Sequence, residues 1–194
     1  MSDDAVRAVA ELAASQHRAF TRRQAAELNF HRNRIAVAVR QGWLAEPYPG
    51  VLVMAGSAPT SRERVAAATL AGGCGAVASH RSAGRLHGLD GFTRIDVVEI
   101  SVARTHRWRH VETVICHHVT PFERADLVTV DAITTTGLAR TLADLGAVVE
   151  RQDVRRALID ARRRDISLRW LHATVDRLHR PGPTGTGCSC ASWP

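Results

Sequence analysis

The sequence contains no lysine: all 26 of its basic residues other than histidine are arginine. Arginine binds phosphate through a bidentate fork and reads guanine edges, whatever codon bias put it there. Aromatics are scarce too, at 5% with a single tyrosine, so Leu, Val, Ile and Ala must build the core. No apolar run approaches the roughly 20 residues that a membrane helix needs. With a net charge of +7, the expected anionic partner is therefore nucleic acid and no membrane. The start, Met1-Ser2-Asp3-Asp4, is acidic and lacks the apolar stretch of a secretion signal, which favours a cytoplasmic protein. Only four cysteines are present, Cys74, Cys116, Cys188 and Cys190, and their scatter suggests reduced thiols over a disulfide framework. There is no internal repeat. Gly72-Gly73-Cys74-Gly75 lacks the Lys-Ser/Thr and the preceding strand of a phosphate loop, and reads as a turn.

What is present is a chain of 194 residues, enough for one domain of moderate size or two small ones. Asp4 to Ala14 carries an apolar stripe at helical spacing, Val6, Val9, Ala10, Leu12 and Ala13. Thr21 and Gln24 have the spacing of a capping box, which predicts a second helix running to about Leu28. Asn29-Phe30 makes a tight connection. His31 to Gln41 predicts a third helix with Ile35, Ala38 and Val39 inward, ended by Gly42 in a left-handed conformation. Trp43–Glu46 and Val51–Met54 read as strands joined by the turn Pro47-Tyr48-Pro49-Gly50. Three helices followed by a hairpin is the order of a winged helix-turn-helix.

After a short linker, Gly56 to Pro59, the pattern changes. Thr60 or Ser61 caps a helix to about Gly72. Ala76–Ala78 suggests a short strand, and Ser79 a cap for a helix to His87. Strands are expected over 95–102, 111–119 and 127–134, with a basic loop from Arg104 to His110 between the first two. Helices are expected over 137–148 and 152–164. A last one, capped by Ser167, has Leu168, Leu171, Val175 and Leu178 on one side. From Pro181 the composition is that of a disordered tail. The expected fold class is α+β: an N-terminal winged helix-turn-helix domain over 1–56, then a small mixed α/β domain over 60–180, with 181–194 disordered.

The strongest constellation lies between Arg18 and Arg40. It holds six arginines (18, 22, 23, 32, 34 and 40) against one acid, Glu27. A helix-turn-helix lays one helix across the backbone and inserts the second into the major groove, N-terminal end first. Thr21, Arg22 and Arg23 sit at a helix N-terminus, where free N–H groups attract phosphate. His31, Arg32, Asn33 and Arg34 open the next helix, and Arg and Asn contact guanine and adenine bidentately. Arg40 at that helix's end and Tyr48 in the wing complete the candidate DNA-binding set. The same charges suit a solvated face. The capped helix, the tight turn, the apolar inner positions and the wing favour duplex DNA.

No enzymatic centre emerges, so the chain is read as a non-enzyme with no cofactor. The ten histidines include no pair at metal-binding helical spacing beside a third ligand: His80 and His87 are seven apart, and the strand neighbours His117 and His118 point to opposite faces. Cys188 and Cys190 lack partner ligands. Ser79-His80 are adjacent in sequence, whereas a catalytic pair needs spatial pairing with an orienting carboxylate.

Leu28 to Val53 resembles the N-terminal domain of AbiEi-type antitoxins, the transcriptional-repressor halves of type IV toxin–antitoxin and abortive-infection systems, a family abundant in actinobacteria. Two further stretches are similar to that family. Ser79-His80-Arg81-Ser82-Ala83-Gly84-Arg85-Leu86-His87-Gly88-Leu89 matches its Ser-His-x-Ser-Ala segment. Thr134 to Leu145 (TTTGLARTLADL) matches its Thr-Thr-x-x-x-Arg-Thr-Leu-x-Asp-Leu segment. The resemblance spans about residues 5 to 180. It implies a winged helix bound to an operator, usually the gene's own promoter, and a second domain that neutralises a nucleotidyltransferase-like toxin without a stable complex. His31 replaces the Ser or Thr usual at its helix cap. Ala36, Val37 and Ala38 replace largely polar positions, leaving a surface that reads thymine methyls or reads sequence poorly. Many similar proteins continue into an endonuclease-like domain of the very-short-patch-repair type. The alternative to a repressor and antitoxin is therefore a DNA-binding, non-catalytic remnant of such a longer protein.

Overall fold

The computed structural model describes residues 3–94, 97–105, 111–119, 122–164 and 167–179. The proposed disordered tail and most of the basic loop lie outside them. The chain divides into two compact units, Met1–Gly73 and Cys74–Pro194, together a mixed α+β protein with two sheets. No helix among the described residues is long and apolar enough to cross a membrane.

The first unit runs α1 (Asp3–Ser15), β1 (Ala19–Thr21), α2 (Arg22–Glu27), α3 (Arg32–Arg40), β2 (Leu44–Tyr48), β3 (Val51–Met54) and α4 (Ser61–Ala71). Its three-stranded antiparallel sheet has the order β1-β3-β2. The three residues of β1 are too few to carry a period in the sequence; only their pairing with Val51–Val53 makes them a strand. Val9, Phe20, Phe30, Ile35, Ala38, Leu44 and Leu52 form one buried cluster, with Trp43 set edge-on to Phe30 at 5.9 Å. Helix α4, expected to open the second domain, packs instead on all three strands of this first sheet.

Both ends of the helix–turn–helix segment are fixed by local chemistry. Thr21 Oγ1 accepts from the Gln24 N–H at 3.1 Å while the Gln24 side chain accepts from the Thr21 N–H at 2.8 Å, a complete capping box. Helix α2 ends with Asn29 at φ +60°, and Phe30 N–H returns to Ala25 O at 2.9 Å. Helix α3 ends the same way: Gly42 has φ +79°, Trp43 N–H reaches Ala38 O and Gly42 N–H reaches Val39 O. Both are Schellman closures, which need a residue tolerant of the left-handed region.

One inward position of α3 is corrected. Ile35 and Ala38 are buried, but Val39 is 36% exposed, because a helix this short presents a narrow inner face and Val39 lies beyond its edge. Ala38 is buried, as its inward place in the helical spacing predicts, and so does not join Ala36 and Val37 on the surface.

The second unit contains β4 (Val77–Ala78), α5 (His80–Leu86), β5 (Val98–Ala103), β6 (Val114–Val119), β7 (Leu127–Val130), β8 (Ile133–Thr136), α6 (Leu138–Leu145), α7 (Arg151–Arg163) and α8 (Leu168–His179). Its mixed sheet has the order β6-β5-β4-β8-β7. The stretch expected as one strand over 127–134 is a hairpin. Asp131 and Ala132 both take positive φ, 47° and 60°, the geometry of a two-residue primed turn, which an Asp-Ala pair does not announce. Leu89, Phe92, Leu142, Leu145, Ala157 and Ala161 form its core, against which Leu171 packs. Leu168, expected inward, is 40% exposed at the start of its helix.

Candidate nucleic-acid interface

The six arginines between residues 18 and 40 separate into two groups once the chain folds. Arg18 meets the buried carboxylate of Glu63 on α4 at 3.3 Å and hydrogen-bonds Met54 O and Ser57; burial pushes the Glu63 carboxyl up despite that cation. Arg22 grips Glu46 with both arms of its fork, Nε to Oε1 at 2.9 Å and Nη2 to Oε2 at 2.5 Å. Arg23 is fully displayed and leans on Glu27 one turn later at 3.6 Å. Arg32, Arg34 and Arg40, all on α3, make no ion pair among the described residues.

The Arg22–Glu46 pair ties the hairpin to the first turn of α2. Register in the hairpin shifts by one residue between Ala45 and Tyr48, a bulge that turns Glu46 out of the strand alternation toward Arg22. Glu46 also accepts the Gly50 N–H at 2.8 Å, and Gly50 O accepts the Arg22 N–H at 2.9 Å. Gly50 stands at φ +82°, which is what a hairpin turn closing on two sides requires. The hydrogen bond from Arg22 holds the Glu46 carboxyl below its ordinary range, against a smaller upward push from burial.

The structure thus places the nine candidate residues unequally. Arg23, His31, Arg32, Asn33 and Arg40 are exposed, and Arg34 is half-buried beside the inward Ile35. His31 occupies the N-cap of α3 without a capping hydrogen bond from its side chain. Thr21 spends its hydroxyl on the cap of α2. Arg22 is spent on Glu46. Tyr48 is buried at 7% exposure, so its ring belongs to the core. Along α3 the outermost positions are Asn33, Ala36, Val37 and Arg40, diametrically across from Ile35 and Ala38.

The second unit holds a buried polar network that sequence spacing hides. Ser79 precedes α5, where a cap was expected, but makes no capping bond. Its hydroxyl lies 2.9 Å from His80 Nδ1 and accepts from Ser101 Oγ at 2.7 Å. His80, at φ +49°, stacks on His117 with ring centroids 3.6 Å apart. Beneath them the fully buried Glu99 accepts the Arg81 N–H and the Arg81 guanidinium, each at 2.7 Å. Burial, reinforced by the charge of His117, pushes the His80 imidazole down to about 4. Farther along the sheet Arg140 bridges Asp126 and Asp144 and lies over Phe122, while Arg177 also grips Asp126. Asp144 is nonetheless pushed up by burial. The Ser79–Leu89 and Thr134–Leu145 segments supply Ser79, His80, Arg81, Arg140 and Asp144, and hold the sheet to its helices: Thr141 Oγ1 closes on Thr136 O at 3.0 Å and His87 Nε2 on Thr136 O at 2.7 Å. Among the described residues no group of three or more His, Cys, Asp or Glu is arranged to hold a metal ion. Cys116 is free, its thiol pushed by burial up to about 11. Cys188 and Cys190 lie outside the described residues.

Comparison with known proteins adds three findings. Residues 7–55 match the family described as "Transcriptional regulator, AbiEi antitoxin", so the resemblance read from Leu28–Val53 holds over the helices and hairpin of the first unit. A comparison with curated proteins gives no match. Among solved structures, the chain is similar in fold to the crystal structure of the RV2827C protein from Mycobacterium tuberculosis, with a TM-score of 0.56, 18% identity, and coverage of 93% of this chain and 73% of that one.

Proposed function

We propose, from the match of residues 7–55 to an AbiEi antitoxin regulator, that this chain is a cytoplasmic DNA-binding repressor and the antitoxin of a type IV toxin–antitoxin system. It binds its own promoter and counteracts a nucleotidyltransferase-like toxin without forming a stable complex with it. The first unit is a winged helix-turn-helix: α3 enters the major groove, α2 crosses the backbone and the β2–β3 hairpin is the wing. The chain acts by binding, needs no cofactor and catalyses nothing. The observation that carries this reading is that the matched unit leaves three arginines of one helix, Arg32, Arg34 and Arg40, without an ion pair among the described residues, whereas the arginines around them are paired. Cations kept free around the outward side of one helix, with Asn33 exposed between them, suit a polyanion better than a solvated surface does.

Arg32 and Asn33 contact base edges, Arg23 and Arg40 contact phosphates, and Arg22 positions the wing through Glu46. A salt titration of the full chain on its own promoter and on a scrambled duplex tests this. The promoter binds more tightly, both affinities fall with salt, and Arg32→Ala or Asn33→Ala costs about 1–3 kcal/mol on the promoter alone. Equal, weak binding to both duplexes with no salt dependence overturns it.

A further inference from the structure

Helix α3 carries an apolar centre on its outward side. Ala36 is exposed and Val37 is 37% exposed, one turn beyond Asn33 and one turn before Arg40, in the i, i+3, i+4, i+7 spacing of a single helical stripe. Ile35 and Ala38 anchor the opposite side in the core. The stripe is flanked by Arg32 and Arg34, which have no ion pair among the described residues. The charge around it calls for an anionic occupant, while the side chains at its centre can neither donate nor accept a hydrogen bond.

Duplex DNA satisfies both demands in one place. Its phosphates meet the flanking arginines, and the major groove presents one apolar group on its base edges, the thymine C5-methyl. Asn33 matches the adenine of such a pair, since its amide pairs with N6 and N7. We propose that Ala36 and Val37 read thymine methyl groups in the major groove, so that this chain selects A·T steps under the centre of α3. The proposal rests on the reading that α3 is the groove helix, and adds what that helix selects.

The test uses the full chain and a duplex selected by it from a random-sequence pool, synthesised once with thymine and once with uracil at the protected A·T steps. Uracil differs only by the missing methyl. Each contacted methyl removed weakens wild-type binding about fourfold, the worth of one buried methyl-sized group, with the slope of log affinity against log salt unchanged. Val37→Ala, a good helix former that leaves Ile35 and Ala38 untouched, binds the thymine duplex more weakly and discriminates less between the two. Equal wild-type affinity for both duplexes, with an ordinary salt slope, overturns the proposal and leaves DNA binding by α3 standing. A uracil effect undiminished in Val37→Ala also overturns it, because the methyl is then read elsewhere. Salt-independent or absent binding overturns the groove-helix reading together with the proposal. Self-association of the wild type that Val37→Arg abolishes in sedimentation overturns it in favour of an interface between copies of the chain.

Discussion

Replacing Glu46 by Gln should lower stability and strengthen DNA binding at once. The Arg22–Glu46 pair is a two-armed, charge-assisted contact, but its side chains are 38% and 28% exposed, so solvent screens it. Its loss costs about 1 kcal/mol rather than the several a buried pair commands. Gln keeps an oxygen for the Gly50 N–H, so no backbone donor is stranded, and the melting temperature falls by a few degrees. The Arg22 guanidinium, at the N-terminal end of α2, is then free to take a phosphate. One added phosphate contact steepens the slope of log affinity against log salt by about 0.9, which at about 0.1 M salt is roughly eightfold tighter binding to any duplex. Arg22→Ala gives the control. It removes the same pair and the same stability, but leaves the salt slope of the wild type, because that guanidinium was occupied already. Fluorescence anisotropy on one duplex across a salt series, with urea melts of the same samples, reads both effects. If Arg22→Ala flattens the slope by about 0.9 while Glu46→Gln leaves it unchanged, Arg22 serves a phosphate in the wild type and the reasoning from its internal partner fails.

Two further expectations concern the second unit. His80 is buried and held neutral down to about pH 4 against 6.5 for a free imidazole, so the unfolded chain binds a proton that the folded chain refuses. Stability is therefore full above about pH 6.5 and declines below it, by about 2 kcal/mol at pH 5 and about 3 at pH 4 from this residue. His80→Asn, which tolerates the +49° φ, should remove that share of the acid sensitivity in urea melts at pH 7 and 5; an unchanged difference between the two pH values refutes it. Glu99 is fully buried while its partner Arg81 is 41% exposed, so the two partners should not be equivalent. Arg81→Ala takes the guanidinium from a buried carboxylate, leaving it the residue-81 N–H and His117 Nε2 at 3.6 Å, and costs about 2–3 kcal/mol, whereas Glu99→Gln leaves Arg81 able to reach water and costs about 1–2. Chemical denaturation of both variants at pH 7 decides it, and the reverse order contradicts the argument.

The local pieces of this protein were legible in its sequence because their causes are local. A hydroxyl and an amide three residues apart at Thr21 and Gln24 make a capping box wherever a helix starts, and Gly42 supplies the left-handed residue at which α3 stops. Apolar spacing placed the helices and the hairpin in order, and arginine usage pointed to an anionic partner. Which charges stay free is settled only by folding. Read along the chain, six arginines faced one acid; folding brings Glu46 to Arg22 from 24 residues away and Glu63 to Arg18 from α4, and of the six leaves only the α3 arginines without an ion pair among the described residues. It also joined His80 to His117 and Ser79 to Ser101, pairs set by strand register in the sheet. It turned a presumed single strand into a hairpin at Asp131–Ala132. Electrostatic pairing and strand pairing act between residues distant in sequence, so no short-range pattern records them, whereas caps, turns and helical periodicity close within a few residues and are written in the chain itself.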